Sequence, residues 1–179
     1  MKEEHPDKRI RIFFQDEARV GQQGTLTRVW ARKGSRPRAV KQTEYKWVNL
    51  WAAVEPVSGQ IAAMISPDVN TDRMSQFLQG VSHLLGPGDL GVIVLDNAGW
   101  HRAKQLQIPA NLTLLPLPPY SPELNPTERL WQWLRSHHLA NRVYEDYDDL
   151  LHAADTALAS LDAERIKTIC NCDYLTPPN

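Results

Sequence analysis

Three acidic residues stand where a carboxylate is costly unless something offsets its charge. "RIRIFFQDE" (9–17) runs apolar into Asp16, and "LGVIVLD" (90–96) runs apolar into Asp96. Apolar runs of this length read as strands. A charge at the end of a buried strand needs a partner. Glu128 lies three residues after Asn125, in the first turn of the helix "NPTERLWQWLRSHHLA". If the two strands are parallel neighbours, Asp16 and Asp96 emerge at the carboxyl edge of the sheet, where open sheets flanked by helices bind ligands. Carboxylates held close together repel, and a divalent cation relieves that repulsion. Hard oxygen ligands favour Mg²⁺ or Mn²⁺. Two such ions about 3.5–4 Å apart clamp the attacking and leaving oxygens of an in-line phosphodiester displacement.

The spacing leaves alternatives open. Asn125-x-x-Glu128 is also a capping-box pattern, in which the glutamate returns to the backbone of the cap. Glu123, in "SPELNP", is a rival third ligand carried on a loop. Glu17 should face away from Asp16 if the strand persists, and could join the site only if the strand ends there.

The elements that must position these residues follow from the hydrophobic pattern. After the first strand, "GQQGTLTRVWA" (21–31), "KWVNLWAAVEP" (46–56) and "SGQIAAMIS" predict further strands, giving an antiparallel meander of three or four. The period then becomes helical: Met74, Phe77, Leu78, Val81, Leu84 and Leu85 share one face, with Asn70 or Thr71 as cap and Gly86 as terminator. A central strand at 90–96, a short helix at "HRAKQL", a strand at "LTLLPLP" and the Glu128 helix follow. A last helix in "YDDLLHAADTALASL" presents Leu150, Leu151, Ala154, Leu158 and Leu161. Strands followed by alternating strands and helices predict an α/β fold, a mixed sheet with an antiparallel meander, parallel strands and helices on both faces.

The 179 residues fit one domain with a core large enough to need no staple. No window approaches the length of a transmembrane helix, and "MKEEHPDKRI" lacks the apolar core of a signal peptide, so the cytoplasm is the expected compartment. Cys170 and Cys172 lack a matching ligand pair and read as reduced thiols rather than a zinc site. Net charge is −1, yet residues 1–50 hold 12 Lys/Arg against 6 Asp/Glu, and residues 143–179 hold 2 against 8. "RVWARKGSRPRAVK" (28–41) gathers Arg28, Arg32, Lys33, Arg36 and Arg38 around Trp30, either as an arm that contacts phosphates or as a solvated hairpin.

Taken in order, "FFQDEARVG", "RVWARKGSRP", "VIVLDNAGWHRAK" and "LPLPPYSPELNPTERLWQWLR" resemble the catalytic domain of mariner-type transposases, in the bacterial insertion-sequence branch of that superfamily. The similarity spans roughly residues 9–140, and "LDNAGWH" with "LPPYSPELNPTERLW" is highly specific in combination. The resemblance implies a ribonuclease-H-like fold. It implies an Asp-Asp-Glu triad of Asp16, Asp96 and Glu128 that binds Mg²⁺ or Mn²⁺ as two ions, cleaves DNA at the transposon ends and transfers the 3′-OH to target DNA. It marks Asn97, Asn125 and Glu17 as supporting residues, His101 as a group that contacts a phosphate or orients a metal-bound water, and Trp30 with its neighbouring cations as the DNA path. Pro119 to Pro122 become a rigid lead-in to the Glu128 helix, and Trp131 and Trp133 core residues. Between Asp96 and Glu128 lie 31 residues, a little fewer than is common in the superfamily.

Family members also carry helix-turn-helix domains that read the element ends. None is expected within this chain, which fits a helix-turn-helix partner encoded in an upstream reading frame and equally an excised piece or a relic, and a homodimer on DNA is a further expectation. A different class of function is a catalytically inactive, domesticated DNA- or protein-binding module of the same fold, and the three acids argue against it. A small nuclease acting on other nucleic acids is a third.

Overall fold

One long strand organises the sheet. The computed structural model describes residues 5–22, 28, 30–38, 42 and 44–175. Strands β1 (Arg9–Gly21), β2 (Trp47–Glu55), β3 (Gln60–Ser66), β4 (Asp89–Leu95) and β5 (Leu112–Pro116) lie in the order β3-β2-β1-β4-β5. β1 runs parallel to β4 from Arg9 to Phe14 and antiparallel to β2 from Phe14 to Gly21. β2 and β3 form an antiparallel pair, and β4 and β5 a parallel one. The mixed sheet is therefore the one the hydrophobic pattern predicts.

Side-chain alternation divides the interior in two. Phe14, Leu50, Ala52, Val54, Val92 and Val94 face α2 (Thr127–Leu134), α3 (Tyr147–Ala159) and α4 (Ala163–Ile169), meeting Leu130, Trp131, Leu134, Leu150, Ala154 and Ile166. Phe13, Trp51, Ala53, Ile93 and Leu95 face α1 (Thr71–Ser82) through Met74, Phe77, Leu78 and Val81. Every residue of β4 is buried, as a strand covered on both faces requires. A Cβ on its Gly91 would come within 2.6 Å of a Leu112 methyl and 2.9 Å of a Leu85 methyl, so glycine is what lets β5 and the end of the α1 region close on it.

Several local expectations change. β1 does not stop at Asp16 but continues to Gly21. Asp16, Glu17 and Arg19 make its second half polar, while Ala18 and Val20 pack against the core and its backbone pairs with β2. The expected strand at 21–31 falls largely outside the described residues, and residues 28, 30 and 31 are not in a strand, so the described meander has three strands. α1 is capped by Asn70, whose Oδ1 accepts from the Arg73 N–H at 2.9 Å, and it ends at Ser82 rather than at Gly86. The helix expected at "HRAKQL" is a single 3₁₀ turn, Gly99–Arg102. α2 passes into a π-helical turn, Arg135–Leu139.

α4 was not anticipated. Its seven residues are too few for a periodicity to show, although Asp162 caps it by accepting from Arg165 N–H. In α3 the buried face uses Ala153 and Ala157 with Leu150 and Ala154, while Leu151 and Leu158, and Leu161 beyond the helix end, are only partly buried. Trp133 is half-buried rather than core, and stacks on His137 at 4.6 Å between ring centroids. Cys170 and Cys172 are free and buried. Among the described residues no helix is long and apolar enough to cross a membrane.

Candidate active site

Register carries the two strands to within two residues of the two aspartates. Phe14 of β1 pairs with Val94 of β4. Two residues further on, alternation puts Asp16 on the face of Phe14, while Asp96 follows the end of β4 and lines the same cavity as Asp16. The face of Phe14 is the one covered by α2. β4 has ended at Leu95, and there the backbone of β1 takes partners from the α2 segment instead. Thr127 Oγ1 donates to the carbonyl of Phe14 at 2.8 Å, and Asn125 Nδ2 donates to the carbonyl of Gln15 at 2.9 Å. Two buried side chains thus fix the start of α2 against the strand that carries the first acid.

Asn125 also caps, its Oδ1 accepting from the Thr127 N–H at 3.1 Å. The expected reciprocal contact is missing: the Glu128 carboxylate accepts no hydrogen bond among the described residues. Glu128 lines a cavity of about 440 Å³ together with Asp16, Asp96, Asn97, Tyr120 and Asn125. The segment from Leu117 to Pro122 closes another side, with Tyr120 in a left-handed conformation at φ 57°. Glu123, the rival ligand, lines a neighbouring cavity that Glu128 also reaches but that neither aspartate does.

The acids differ in environment. Burial, followed by the charge of Glu128, raises the Asp16 pKa from 3.8 to about 7, against opposing hydrogen bonds from Trp131 and the Glu17 backbone. The Trp131 indole N–H donates to Asp16 Oδ2 at 2.9 Å. Trp131 was expected only as core; its distance of three residues from Glu128 is the signal that it shares the site's side of α2. Asp96 sits just past β4 with its side chain 58% exposed. Its Oδ1 accepts from the Ala98 N–H at 2.9 Å and lies 3.0 Å from His101 Nδ1. Asn97 Nδ2 donates to the carbonyl of Leu117 at 2.7 Å, tying this loop to the segment that follows β5.

His101 requires a correction. Its side chain is only 1% exposed and both ring nitrogens face carboxylates, so it cannot contact a phosphate as expected. Burial lowers its pKa, but Glu17 and Asp96 outweigh that effect and raise it above 6.5. Glu17 faces away from Asp16, as the persistence of β1 demands. Its Oε1 takes N–H groups from Gln15 at 3.0 Å and Trp100 at 3.3 Å, and lies 3.3 Å from His101 Nε2.

Among the described residues no three His, Cys, Asp or Glu side chains converge closely enough to hold an ion as they stand. The donor set nevertheless suits a hard divalent cation. Three carboxylates line one cavity, and one of them holds a proton up to about pH 7 through burial and its neighbour's charge. Such a site stabilises a positive charge in place of that proton.

Arg28, Trp30, Arg32, Lys33, Arg36 and Arg38 are all exposed, and no acid pairs with these cations among the described residues. A turn fixed by Ser35 N–H to the Arg32 carbonyl at 2.9 Å interrupts the stretch. Gln42 anchors its far side by exchanging hydrogen bonds with the Tyr144 backbone.

Residues 11–151 match the family of DDE superfamily endonucleases. The chain belongs to that family. The match takes in all three acids, from β1 through the first turn of α3. An uncharacterized protein of Sinorhizobium fredii, y4pE/y4sA, is 41% identical over 105 residues, which are 59% of this chain and 78% of that protein. Among solved structures, the mariner Mos1 paired-end complex with Mn superposes with a TM-score of 0.68 at 22% identity, over 89% of this chain and 51% of that one. The Mos1 strand transfer complex gives 0.64 at 22% identity, over 89% and 50%. The chain thus spans about half the length of these transposases, and this DDE superfamily endonuclease has their ribonuclease-H-like fold.

Proposed function

We propose that Asp16, Asp96 and Glu128 are the catalytic triad of a metal-dependent DNA transposase domain. The domain cleaves a phosphodiester at the end of a mobile element and directs the freed 3′-OH onto target DNA. The observation that carries this reading is the meeting of three acids from β1, the end of β4 and the first turn of α2 at one cavity. Membership of the DDE superfamily endonucleases supports it, as does similarity of fold to Mos1 proteins crystallised in a strand transfer complex and in paired-end complexes with Mn and with Mg.

The acids would hold Mg²⁺ or Mn²⁺, as two ions, which when bound supply an activated water and neutralise charge on the departing oxygen. Asp16 is held by Trp131 and gives up its proton on loading. Glu128 is aimed by the Asn125 and Thr127 contacts to β1. Arg28, Arg32, Lys33, Arg36 and Arg38 would contact the DNA backbone, with Trp30 stacked against a sugar or base. The partners in this reading are transposon-end and target DNA, a helix-turn-helix recognition domain and a second copy of the chain on the paired ends. The compartment would be the cytoplasm.

Incubation of the protein with a supercoiled plasmid and a labelled, pre-nicked duplex tests this. Mg²⁺-dependent cutting and covalent joining of the labelled 3′ end, both absent in Asp96→Asn, are expected. Cutting without joining would replace the transposase reading with a nuclease. DNA binding without either reaction, equal in Asp96→Asn, would leave a binding module.

A further inference from the structure

The first strand carries two adjacent acids, and only one of them reaches the cavity. Resting on the metal-site reading above, we propose that Glu17 and His101 are positioning residues for Asp96, acting from the opposite face of the sheet. Asp96 needs such help more than its partners do. It stands on a loop past the end of β4 and more than half of its side chain is exposed, so packing does not select a rotamer. The Ala98 N–H donates to one of its oxygens, Oδ1, and the His101 ring, whose Nδ1 hydrogen-bonds to the Asp96 carbonyl, lies 3.0 Å from the same oxygen. Among the described residues Oδ2 has no hydrogen-bond partner, so the plane of the carboxylate is set while one oxygen stays available.

His101 is fixed in turn. Its Nδ1 also lies 3.2 Å from the Asp96 carbonyl, its backbone N–H donates to the Ala98 carbonyl at 3.0 Å, and its Nε2 faces Glu17. The Glu17 side chain is 10% exposed and makes no contact with the cavity. Three side chains converge on its Oε1: Gln15, Trp100 and His101. Because Glu17 belongs to β1, the arrangement links the strand of the first acid to the loop of the second through one imidazole. It ties the Asp96 loop to β1 at a level where β1 and β4 are no longer paired. Groups that hydrogen-bond to a metal ligand and orient it change metal affinity typically 10–100-fold when removed.

A double-mutant cycle on Mn²⁺ affinity, measured by titration calorimetry on the intact chain, tests the proposal. Metal-free thermal unfolding of each variant reports folding. His101→Ala and Glu17→Ala are each expected to weaken Mn²⁺ binding about tenfold, and the double variant by no more than about twofold beyond His101→Ala, since coupled residues are not additive. Glu17→Gln keeps an acceptor for the ring, and His101→Asn keeps an N–H near the Nδ1 position. Both guard against loss of fold, and each should retain affinity to within about threefold of wild type. Wild-type affinity in folded Glu17→Ala or His101→Ala overturns the proposal. So does a double variant whose losses multiply, which would mean that Glu17 acts independently of the ring. Asp96→Asn separates this failure from that of the metal site. If it binds Mn²⁺ as wild type does, the metal reading itself is wrong. If it loses binding while the Ala variants keep it, only the positioning role is wrong.

Discussion

The two walls of the cavity are built in different ways. Asp16 lies within a 13-residue strand, its neighbouring carbonyls taken by Asn125 and Thr127 and one carboxylate oxygen held by Trp131. Asp96 lies one residue past a strand end, largely exposed, on a loop secured by Asn97 to Leu117 and by His101 to Glu17. Burial gives the first wall an elevated pKa, whereas the second stays open to solvent. The contrast suggests a division of labour. The Asp16–Glu128 wall is buried and electrostatically tense, whereas the Asp96 wall is exposed and held in place by side-chain ties rather than by packing. This fits the absence of a converged three-ligand cluster among the described residues.

The largest effects should come from removing charge on either wall. Asp16→Asn, Asp96→Asn and Glu128→Gln are each expected to lower Mg²⁺-dependent cleavage on the order of a thousandfold, read by plasmid nicking, while DNA binding stays intact. A Glu123→Gln variant should cleave normally, because Glu123 faces the other cavity. If Glu123→Gln is the inactive one, the assignment of walls is wrong.

The tension on the Asp16 wall gives a pH signature with a definite sign. The Asp16 pKa in the folded, metal-free protein is raised above its ordinary value. The folded state therefore binds that proton more tightly than the unfolded chain. Its contribution to stability is present below the ordinary carboxylate range near pH 4 and is lost as pH rises through about 7. In chelator, Asp16→Asn should thus be more stable than wild type at pH 8, on the order of 2 kcal/mol, with the difference vanishing near pH 4. Paired urea titrations at the two pH values check this. Mn²⁺ affinity should move the other way, rising with pH up to about 7 by at most about tenfold per unit as the ion displaces the proton.

Smaller effects should follow from the ties that aim α2. Asn125→Ala removes a cap and a buried bond to the Gln15 carbonyl, and should cost about 1–2 kcal/mol in urea unfolding. The smallest effect concerns neither wall. Changing Lys33 or Arg36 to Ala should reduce the salt slope of DNA binding by about 1 each and leave Mn²⁺ binding unchanged.

Much of this arrangement was legible in the sequence because strand and charge patterns point the same way. Apolar runs ending on Asp16 and Asp96 marked neighbouring strands, and the Asn125 cap placed Glu128 in the first turn of a helix. The length of β1 was not legible, since the charges of Asp16, Glu17 and Arg19 make "DEARVG" resemble a strand end. α4 is not legible because seven residues show no period. The Trp131 bond to Asp16 and the Glu17–His101 clasp depend on which side chains meet across 115 and 84 residues, which local patterns do not encode. The outward placement of Glu17 was legible from strand alternation; its partner was not.

The most direct test is anomalous diffraction from crystals soaked in Mn²⁺. A peak bounded by Asp16, Asp96 and Glu128 is expected, with Asp16 still bonded to Trp131 and His101 still facing Glu17 and Asp96. A peak held instead by Glu123, or full occupancy at a site that excludes Asp96, would contradict the triad.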